Sequence, residues 1–225
     1  MRPFHELLHR DDALLLIRQA VAASPHPAEL LSRPAADGRR ALEALQVTTR
    51  SHLGALAHHT GGLLVDGGWL RILGAGCKRL PRAIDTWNGL GTDQPRCPHG
   101  LLVADDAMGG FFAWFREPAR IHYFAPDSMA WEDLGMGYGA WLEGMLSDRY
   151  ERFYGPLRWE GWQRDVADLG PDQGLLTTPA LPFAHQGPRT RAPVPMDELW
   201  RAHMHLARQI ADLPDGATVK IDVVD

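Results

Sequence analysis

Between Gly61 and Trp162 the chain alternates short apolar runs with turns that are rich in glycine, aspartate and proline. This stretch holds seven of the eight tryptophans and seventeen of the twenty-three glycines. Two apolar segments joined by such a turn are typical of an antiparallel hairpin, because glycine and aspartate tolerate the backbone angles of tight turns. The pattern therefore predicts a β-sheet in the middle of the chain.

Three hairpins follow from this pattern. Their predicted strand pairs are residues 63–65 with 69–73, residues 101–104 with 111–115, and residues 121–124 with 129–134. The second pair is apolar on both faces of each strand, which predicts a central position in the sheet.

Apolar residues at helical spacing predict helices before, between and after the predicted strands. Asp12 and Ser51 precede apolar runs as helix caps, and Gly61-Gly62 resembles a glycine C-cap. The predicted helices cover residues 13–23, 37–46, 52–60, 81–87, 138–146, 159–169 and 196–213. Residues 170–195 are rich in proline and glycine and predict an irregular segment, and alternation over 218–224 predicts an edge strand.

These elements predict an α+β fold. The sheet is expected to be antiparallel, with a mixed sheet as the alternative, and to contain about five to seven strands packed with helices. We predict one domain over residues 1–225. It comprises a helical N-terminal extension (1–50), a sheet-and-helix core (51–169) and a C-terminal part with the irregular segment, a helix and a strand (170–225).

The composition indicates which class of protein and which cellular compartment to expect. The chain has 225 residues, 45% of them hydrophobic and 23% charged, as in ordinary soluble globular proteins. A net charge of −5 predicts no general affinity for nucleic acid. We expect no membrane span and no signal peptide, hence a cytoplasmic protein. With only two cysteines, Cys77 and Cys97, we expect reduced thiols.

No metal or cofactor site is predicted. Cys97 and His99 form one Cys-x-His pair, but a zinc site normally has four converging ligands. The other histidine groups are His58-His59 and the pair His203 and His205; two positions apart on a helix, the latter two cannot share a face. No glycine-rich nucleotide motif is complete.

One enzymatic alternative remains open at this stage. Cys77 precedes Lys78 and Arg79, whose charge would favour a thiolate, and Asp105 and Asp106 are adjacent carboxylates. A small-molecule hydrolase or transferase would use Cys77, Asp105 and Asp106 around one pocket. However, aspartate at the end of a strand before glycine is also what a turn needs.

The leading hypothesis is a non-enzymatic module that binds another protein. Acidic bends along one side of the sheet would form a docking rim that suits a basic partner. The residues of this predicted rim are Asp66, Trp69, Asp105, Asp106, Glu132 and Asp133. A third possibility is a ligand-binding accessory protein with its pocket between the core and residues 170–225.

Most of the chain resembles a bacterial family known only as domain of unknown function 2625. The resemblance lies in LGALAHHTGGLLVDGGWLRILG, LPRAIDTWN, GLLVADDAMGGFFAWF, YFAPDSMAWEDLGMGY and RFYGPLRWEGW, between Leu53 and Asp165. It also includes QVTTRS before this region and PVPMDELW after it. The family has no assigned reaction, so the resemblance implies no mechanism.

A second resemblance is to the SUKH superfamily. The helix from Leu80-Pro81 to Asn88-Gly89 is similar to that superfamily's leucine-proline to asparagine-glycine helix, although it is shorter here. The order of Asp105-Asp106, a hairpin and the helix at 138–146 continues the similarity. It implies an antiparallel sheet flanked by helices and an immunity or scaffold role. The N- and C-terminal extensions have no counterpart in that superfamily.

Overall fold

A computed structural model of the protein describes residues 1–212. Over these residues a seven-stranded sheet and a two-stranded sheet pack with nine helices. The predicted α+β class is therefore confirmed. Within residues 1–212, no helix has both the length and the apolar character needed to cross a bilayer.

The large sheet is a simple meander in which every strand pairs with its neighbours in chain order. Every pairing is antiparallel, so the sheet is not mixed. Its strands are β1 (Ala28–Leu31), β2 (Gly62–Val65), β3 (Leu70–Leu73), β4 (Gly100–Asp106), β5 (Phe111–Phe115), β6 (Arg120–Ala125) and β7 (Ala130–Asp133).

The three predicted hairpins are confirmed. The β2–β3 turn places Asp66, Gly67 and Gly68 at φ values of 48°, 67° and 107°, in the left-handed region that glycine tolerates best. Strands β4 and β5 lie in the interior of the sheet, and Phe111 and Phe112 are fully buried. Their pairing shifts register between Leu102 and Ala104, which marks a β-bulge.

The helices lie before, between and after these strands. They are α1 (Phe4–Leu7), α2 (Leu14–Ala23), α3 (Ala35–Leu45), α4 (His52–His59), α5 (Ile84–Trp87), α6 (Tyr138–Met145), α7 (Arg149–Tyr154), α8 (Trp162–Ala167) and α9 (Met196–Ala211). Ser51 caps α4 as predicted, its hydroxyl oxygen accepting the Gly54 N–H at 3.0 Å. The predicted glycine C-cap is wrong, because α4 ends at His59 and the residue that follows, Thr60, is its C-cap in an extended conformation.

Several boundaries differ from the sequence prediction. Strand β1 and helix α7 were not predicted, because four and six residues are too few to show a clear period. Helix α5 is shorter than predicted, since Ala83 is extended and the helix begins at Ile84. Helix α8 begins at Trp162, because Gly161 before it has a left-handed φ of 84°.

The segment 170–195 is more ordered than predicted. Strands β8 (Gln173–Thr178) and β9 (Thr190–Pro195) pair antiparallel from Gln173↔Pro195 to Thr178↔Thr190. Prolines in β9 are compatible with this pairing because β9 pairs with β8 alone among the described residues. The predicted final helix is confirmed as far as Ala211. Its predicted last residue and the predicted strand 218–224 lie outside the described residues.

Candidate functional site

The six residues of the predicted docking rim do not share one exposed surface. Trp69 and Asp106 have no exposed surface and Asp105 only 1%, whereas Glu132 and Asp133 are exposed on β7. Successive residues of a strand point to opposite faces of the sheet. Because both faces of the sheet are covered at the end of β4, Asp105 and Asp106 are both buried. The structure thus corrects the predicted rim.

Asp105 lies between two buried arginines. Arg71 is its cross-strand partner on β3, with Nε 2.7 Å from Oδ1. Arg82 binds both carboxylate oxygens, at 3.0 Å from Nη2 and 3.1 Å from Nε. Arg82 also contacts Asp172, whose side chain is half exposed. A buried charge is tolerated only when it is paired in this way. Through Arg82, Asp105 also connects the sheet to Asp172 at the start of β8.

Asp106 has a different environment. Its Oδ1 accepts the N–H groups of Met108 and Gly110 at 2.9 Å each, and Oδ2 accepts the hydroxyls of Tyr123 at 2.8 Å and Tyr154 at 3.3 Å. Burial raises the pKa of Asp106 above its ordinary value despite these hydrogen bonds.

The surroundings of Asp106 leave no space for a substrate. A Cβ at Gly110 would collide with both the Asp106 carboxylate and the Tyr123 hydroxyl. The neighbouring carboxylates therefore differ in environment, as in many catalytic pairs, but neither is open to a substrate in this structure. We interpret the buried acidic pair as a structural part of the protein interior.

Asp66 and Trp69 belong to a second packed cluster, around Arg158. The Arg158 Nη2 lies 2.7 Å from Asp66, and its guanidinium carbon lies 4.0 Å from the Trp162 ring and 5.0 Å from the Trp69 ring. Cation–π contacts of this kind favour a desolvated guanidinium. An internal arginine thus occupies the aromatic surface that was predicted to receive a partner.

Cys77 is separate from both aspartates. It is half-buried in the turn between β3 and α5, where its backbone N–H donates to Leu80. It lines a surface groove with Arg33, Lys78 and Arg79, whereas Asp105 and Asp106 lie in the core. The structure therefore does not assemble the predicted constellation of Cys77, Asp105 and Asp106 around one pocket.

The histidines and Cys97 are dispersed. His203 is buried with its ring nitrogen Nδ1 3.0 Å from the Gly109 carbonyl oxygen, and Cys97 is buried beside the exposed His99. His59 bonds Asp12 at 2.8 Å. Over residues 1–212, no group of three or more histidine, cysteine, aspartate or glutamate side chains converges as metal ligands would.

The arginines that pair with these buried acids were not predicted from the sequence. Arg71 lies within the apolar run LRIL, and a charge inside an otherwise apolar strand indicates a buried partner. The position of Arg71 in this run is therefore a signal that the sequence does contain. For Arg82 and Arg158 the chain has no comparable signal, because each lies in a polar or mixed segment and meets its acid through tertiary packing.

An apolar groove lies between α9 and the β5–β7 part of the sheet and is called here the α9 groove. Its volume is about 630 Å³. Aromatic rings hold its shape: Trp131 packs on Phe115 at 5.5 Å, and Trp200 packs edge-on against Phe111 at 4.8 Å. The groove is lined by Arg96, Cys97, Pro98, His99, Phe115, Phe124, Met129, Trp131, Trp200, Met204, Ala207, Arg208 and Ala211.

The charged residues that line the α9 groove are two arginines. Arg96 and Arg208 line it, and no carboxylate is present among these lining residues. Arg96 is held over the Trp87 ring at 3.7 Å and by Asp197 at 2.6 Å. Arg208 is exposed and, among residues 1–212, donates to the Met204 carbonyl oxygen at 3.1 Å. Because Asp197 already pairs with Arg96, Arg208 is the lining charge that favours an acidic ligand.

Comparison with known proteins assigns the family. The family model described as "Protein of unknown function DUF2625" matches residues 4–199. The chain belongs to this family. The putative uncharacterized protein YbfG of Escherichia coli is 36% identical over 208 residues, covering 89% of this chain and 94% of that protein.

A second relative of this DUF2625 protein is an uncharacterized protein of Haemophilus influenzae. It is 34% identical over 176 residues, covering 75% of this chain and 77% of the relative. No solved structure matches the chain. Neither the family nor these relatives carries an assigned activity, so a functional proposal depends on the geometry of the site.

Proposed function

We propose that this DUF2625 protein is a non-enzymatic binding module that holds a segment of another protein in the α9 groove. The observation that carries the proposal is the aromatic and methionine lining of this groove. Tryptophan and other large rigid side chains supply much of the energy of protein interfaces, and methionine adapts its shape to a partner. The groove is also large enough for several side chains of a bound segment.

The charge of the groove defines the partner's chemistry. Arg96, His99 and Arg208 surround the apolar surface. A complementary segment would carry two or three large apolar residues flanked by aspartate or glutamate. This differs from the basic partner expected for the acidic bends, because Asp105 and Asp106 are buried and only Glu132 and Asp133 of the predicted rim are exposed.

The residues that line the groove do not favour nucleophilic catalysis. Its one thiol, Cys97, has a pKa raised by burial, so the reactive thiolate is disfavoured. No carboxylate lines the groove to act as an acid or base. These features favour binding over chemistry. An immunity or scaffold role of the SUKH kind would be one form of this proposed binding function.

The test compares two variants that differ only in position along α9. Ala207→Glu places a carboxylate in the groove, whereas Ala202→Glu adds the same charge to the same helix outside it. Both alanines are half-buried. The tagged full-length protein and both variants are used to purify partners from the native host. A polypeptide identified by mass spectrometry is then produced pure and titrated by calorimetry.

The proposal requires a defined partner that Ala207→Glu binds at least about tenfold more weakly, while Ala202→Glu binds it like the parent protein. Equal binding by all three proteins would place the interface elsewhere. A partner segment without carboxylates whose affinity is independent of salt would contradict the proposed charge complementarity.

A further inference from the structure

The α9 groove extends to the C-terminal end of helix α9. Four residues of the helix line it as one stripe, three or four positions apart: Trp200, Met204, Ala207 and Ala211. Exposure increases along this stripe, from the buried Trp200 to the exposed Ala211. An apolar helix stripe normally lies against an apolar surface. Within residues 1–212, the last two turns of this stripe are therefore only partly covered.

The residues that follow α9 begin at this end of the groove. Residues 213–225, with the sequence LPDGATVKIDVVD, come directly after the helix C-cap, Asp212. Pro214, Asp215 and Gly216 stand in an order that is typical of a tight turn. A turn at this point would reverse the chain direction, so that the residues after Gly216 run back along the stripe.

The sequence after this turn predicts a strand with one apolar face. Val219, Ile221 and Val223 share that face, because successive residues of a strand point to opposite sides. Such a face needs an apolar surface against it. A strand over residues 218–224 would span about 20 Å, and the stripe from Trp200 to Ala211 spans about 17 Å. The two apolar surfaces are thus matched in length and adjacent in the chain.

The charges of the segment are complementary to this end of the groove. Residues 213–225 contain three aspartates and one lysine. Arg208 lies on the last turn of α9 and is exposed. Because an exposed ion pair contributes at most about 1 kcal/mol, this charge would mainly orient the segment. Most of the affinity would come from burial of the three apolar side chains, at up to about 1.5–3 kcal/mol each.

We propose that residues 213–225 of this chain bind the α9 groove in cis, with Val219, Ile221 and Val223 against its apolar lining. A tethered segment has an effective concentration on the order of 1 mM, so an intrinsic Kd of about 0.1 mM keeps the groove about 90% occupied. This inference rests on the proposed role of the groove as a binding site. It adds that a second protein must displace the internal segment.

Methionine methyl groups report directly on the groove. Met129 and Met204 line it, whereas the other five of the seven methionines do not. The full-length protein is labelled with ¹³C at the methionine methyl groups, and NMR spectra are recorded for the parent protein, Ile221→Ser and Lys220→Ser. The first variant removes the centre of the apolar face, and the second makes the same replacement on the opposite face of the predicted strand.

We expect Ile221→Ser to shift the Met129 and Met204 signals and Lys220→Ser to leave them in place. The other five methionine signals should stay unchanged in both variants, which also shows that the fold is retained. The parent signals should not depend on protein concentration. Shifts that grow with concentration would mean that the segment binds a second copy of the chain, and would overturn binding in cis.

A synthetic peptide with the sequence of residues 213–225 tests the same site by competition. It should bind the Ile221→Ser protein saturably, with a Kd of about 0.1 mM, and the parent protein about tenfold more weakly, because the parent's own segment competes. In the Ile221→Ser background, Ala207→Glu should weaken peptide binding by about tenfold or more. The control Ala202→Glu, outside the groove on the same helix, should leave it within about twofold.

The proposal is overturned if Ile221→Ser leaves the Met129 and Met204 signals unchanged, or if the peptide fails to bind this variant. It is also overturned if the peptide binds the parent equally well, or if Ala202→Glu weakens it as much as Ala207→Glu. None of these measurements uses a partner protein. Partner binding can therefore fail while binding in cis is observed, and binding in cis can fail while a partner is found.

Discussion

Two acidic pairs at strand ends have opposite surroundings in this protein. Asp105-Asp106 ends β4 and is buried, whereas Glu132-Asp133 lies on β7 and is exposed. In the sequence both pairs follow an apolar or aromatic run and precede glycine. The difference is that Arg71 and Arg82, from other elements, pair with Asp105 in the interior, while the ion-pair partner of Asp133 is the exposed Arg120, at 3.0 Å.

The comparison shows that an acidic strand end does not by itself indicate a surface. Burying a carboxylate is costly unless arginines or hydrogen-bond donors meet it. Those groups come from residues far along the chain, such as Arg82, which lies 23 residues before Asp105. Whether a carboxylate at a strand end is exposed therefore depends on which partners the tertiary structure supplies.

The largest effect is expected for Asp105→Asn. This change leaves two buried guanidiniums without their shared carboxylate, and breaking a buried ion pair from one side costs about 3–5 kcal/mol of unfolding free energy. Urea unfolding followed by circular dichroism measures the loss. A change below about 1 kcal/mol would show that water reaches Arg71 and Arg82, and that the site is not a buried ion pair.

A smaller effect, with a definite pH dependence, is expected for Asp106→Asn. Because burial raises the pKa of Asp106, the folded protein holds the proton more tightly than the unfolded chain. The contribution of Asp106 to stability is therefore complete below its unfolded pKa and is lost as pH rises through its folded pKa.

The measurement for Asp106 is the free energy of unfolding from pH 4 to pH 8 for the parent protein and for Asp106→Asn. The parent should lose stability relative to the variant as pH rises across this range. A difference that is constant with pH would mean that Asp106 is ionised to the same extent in both states.

Tyr123→Phe should cost about 1–2 kcal/mol of unfolding free energy, because it removes a buried hydroxyl that donates to Asp106 at 2.8 Å. Tyr154→Phe is the matched comparison, since its bond to the same oxygen is longer, at 3.3 Å. We expect the Tyr154 variant to lose less stability by urea unfolding. The reverse order would contradict the assigned hydrogen bonds.

The smallest effect is expected at the exposed pair. Asp133→Asn should leave the urea midpoint at neutral pH unchanged within error, because exposed ion pairs contribute little. The Gly135 N–H and Arg120 lower the pKa of Asp133, so the small contribution of Asp133 has the opposite pH dependence to that of Asp106: it is present above the unfolded pKa and is lost as pH falls through the folded pKa. A large loss at neutral pH would show that β7 is not exposed.

The parts of the fold that were predictable are those with a local cause. The β2–β3 hairpin follows from Asp66-Gly67-Gly68, whose positive φ values require such residues. Strands β8 and β9 were missed because proline and glycine around them obscured the pattern. Strand β1 was missed because its four residues acquire strand geometry by pairing with β2.

The candidate sites were less predictable than the fold. Trp131 and Trp200 line the α9 groove from elements that lie about seventy residues apart in the chain, which no local pattern relates. From the sequence, a pocket between the core and residues 170–225 was only the third of three possibilities.

The sequence by itself determined the three antiparallel hairpins, the turns that close them and the Ser51 cap, because each depends on backbone preferences within a few residues. The tertiary structure alone decided which acids are buried, which arginines pair with them and where the apolar groove lies. Burial and charge pairing arise from groups brought together across the chain, as when Arg71 meets Gln173 over 102 residues. No local pattern encodes such distances.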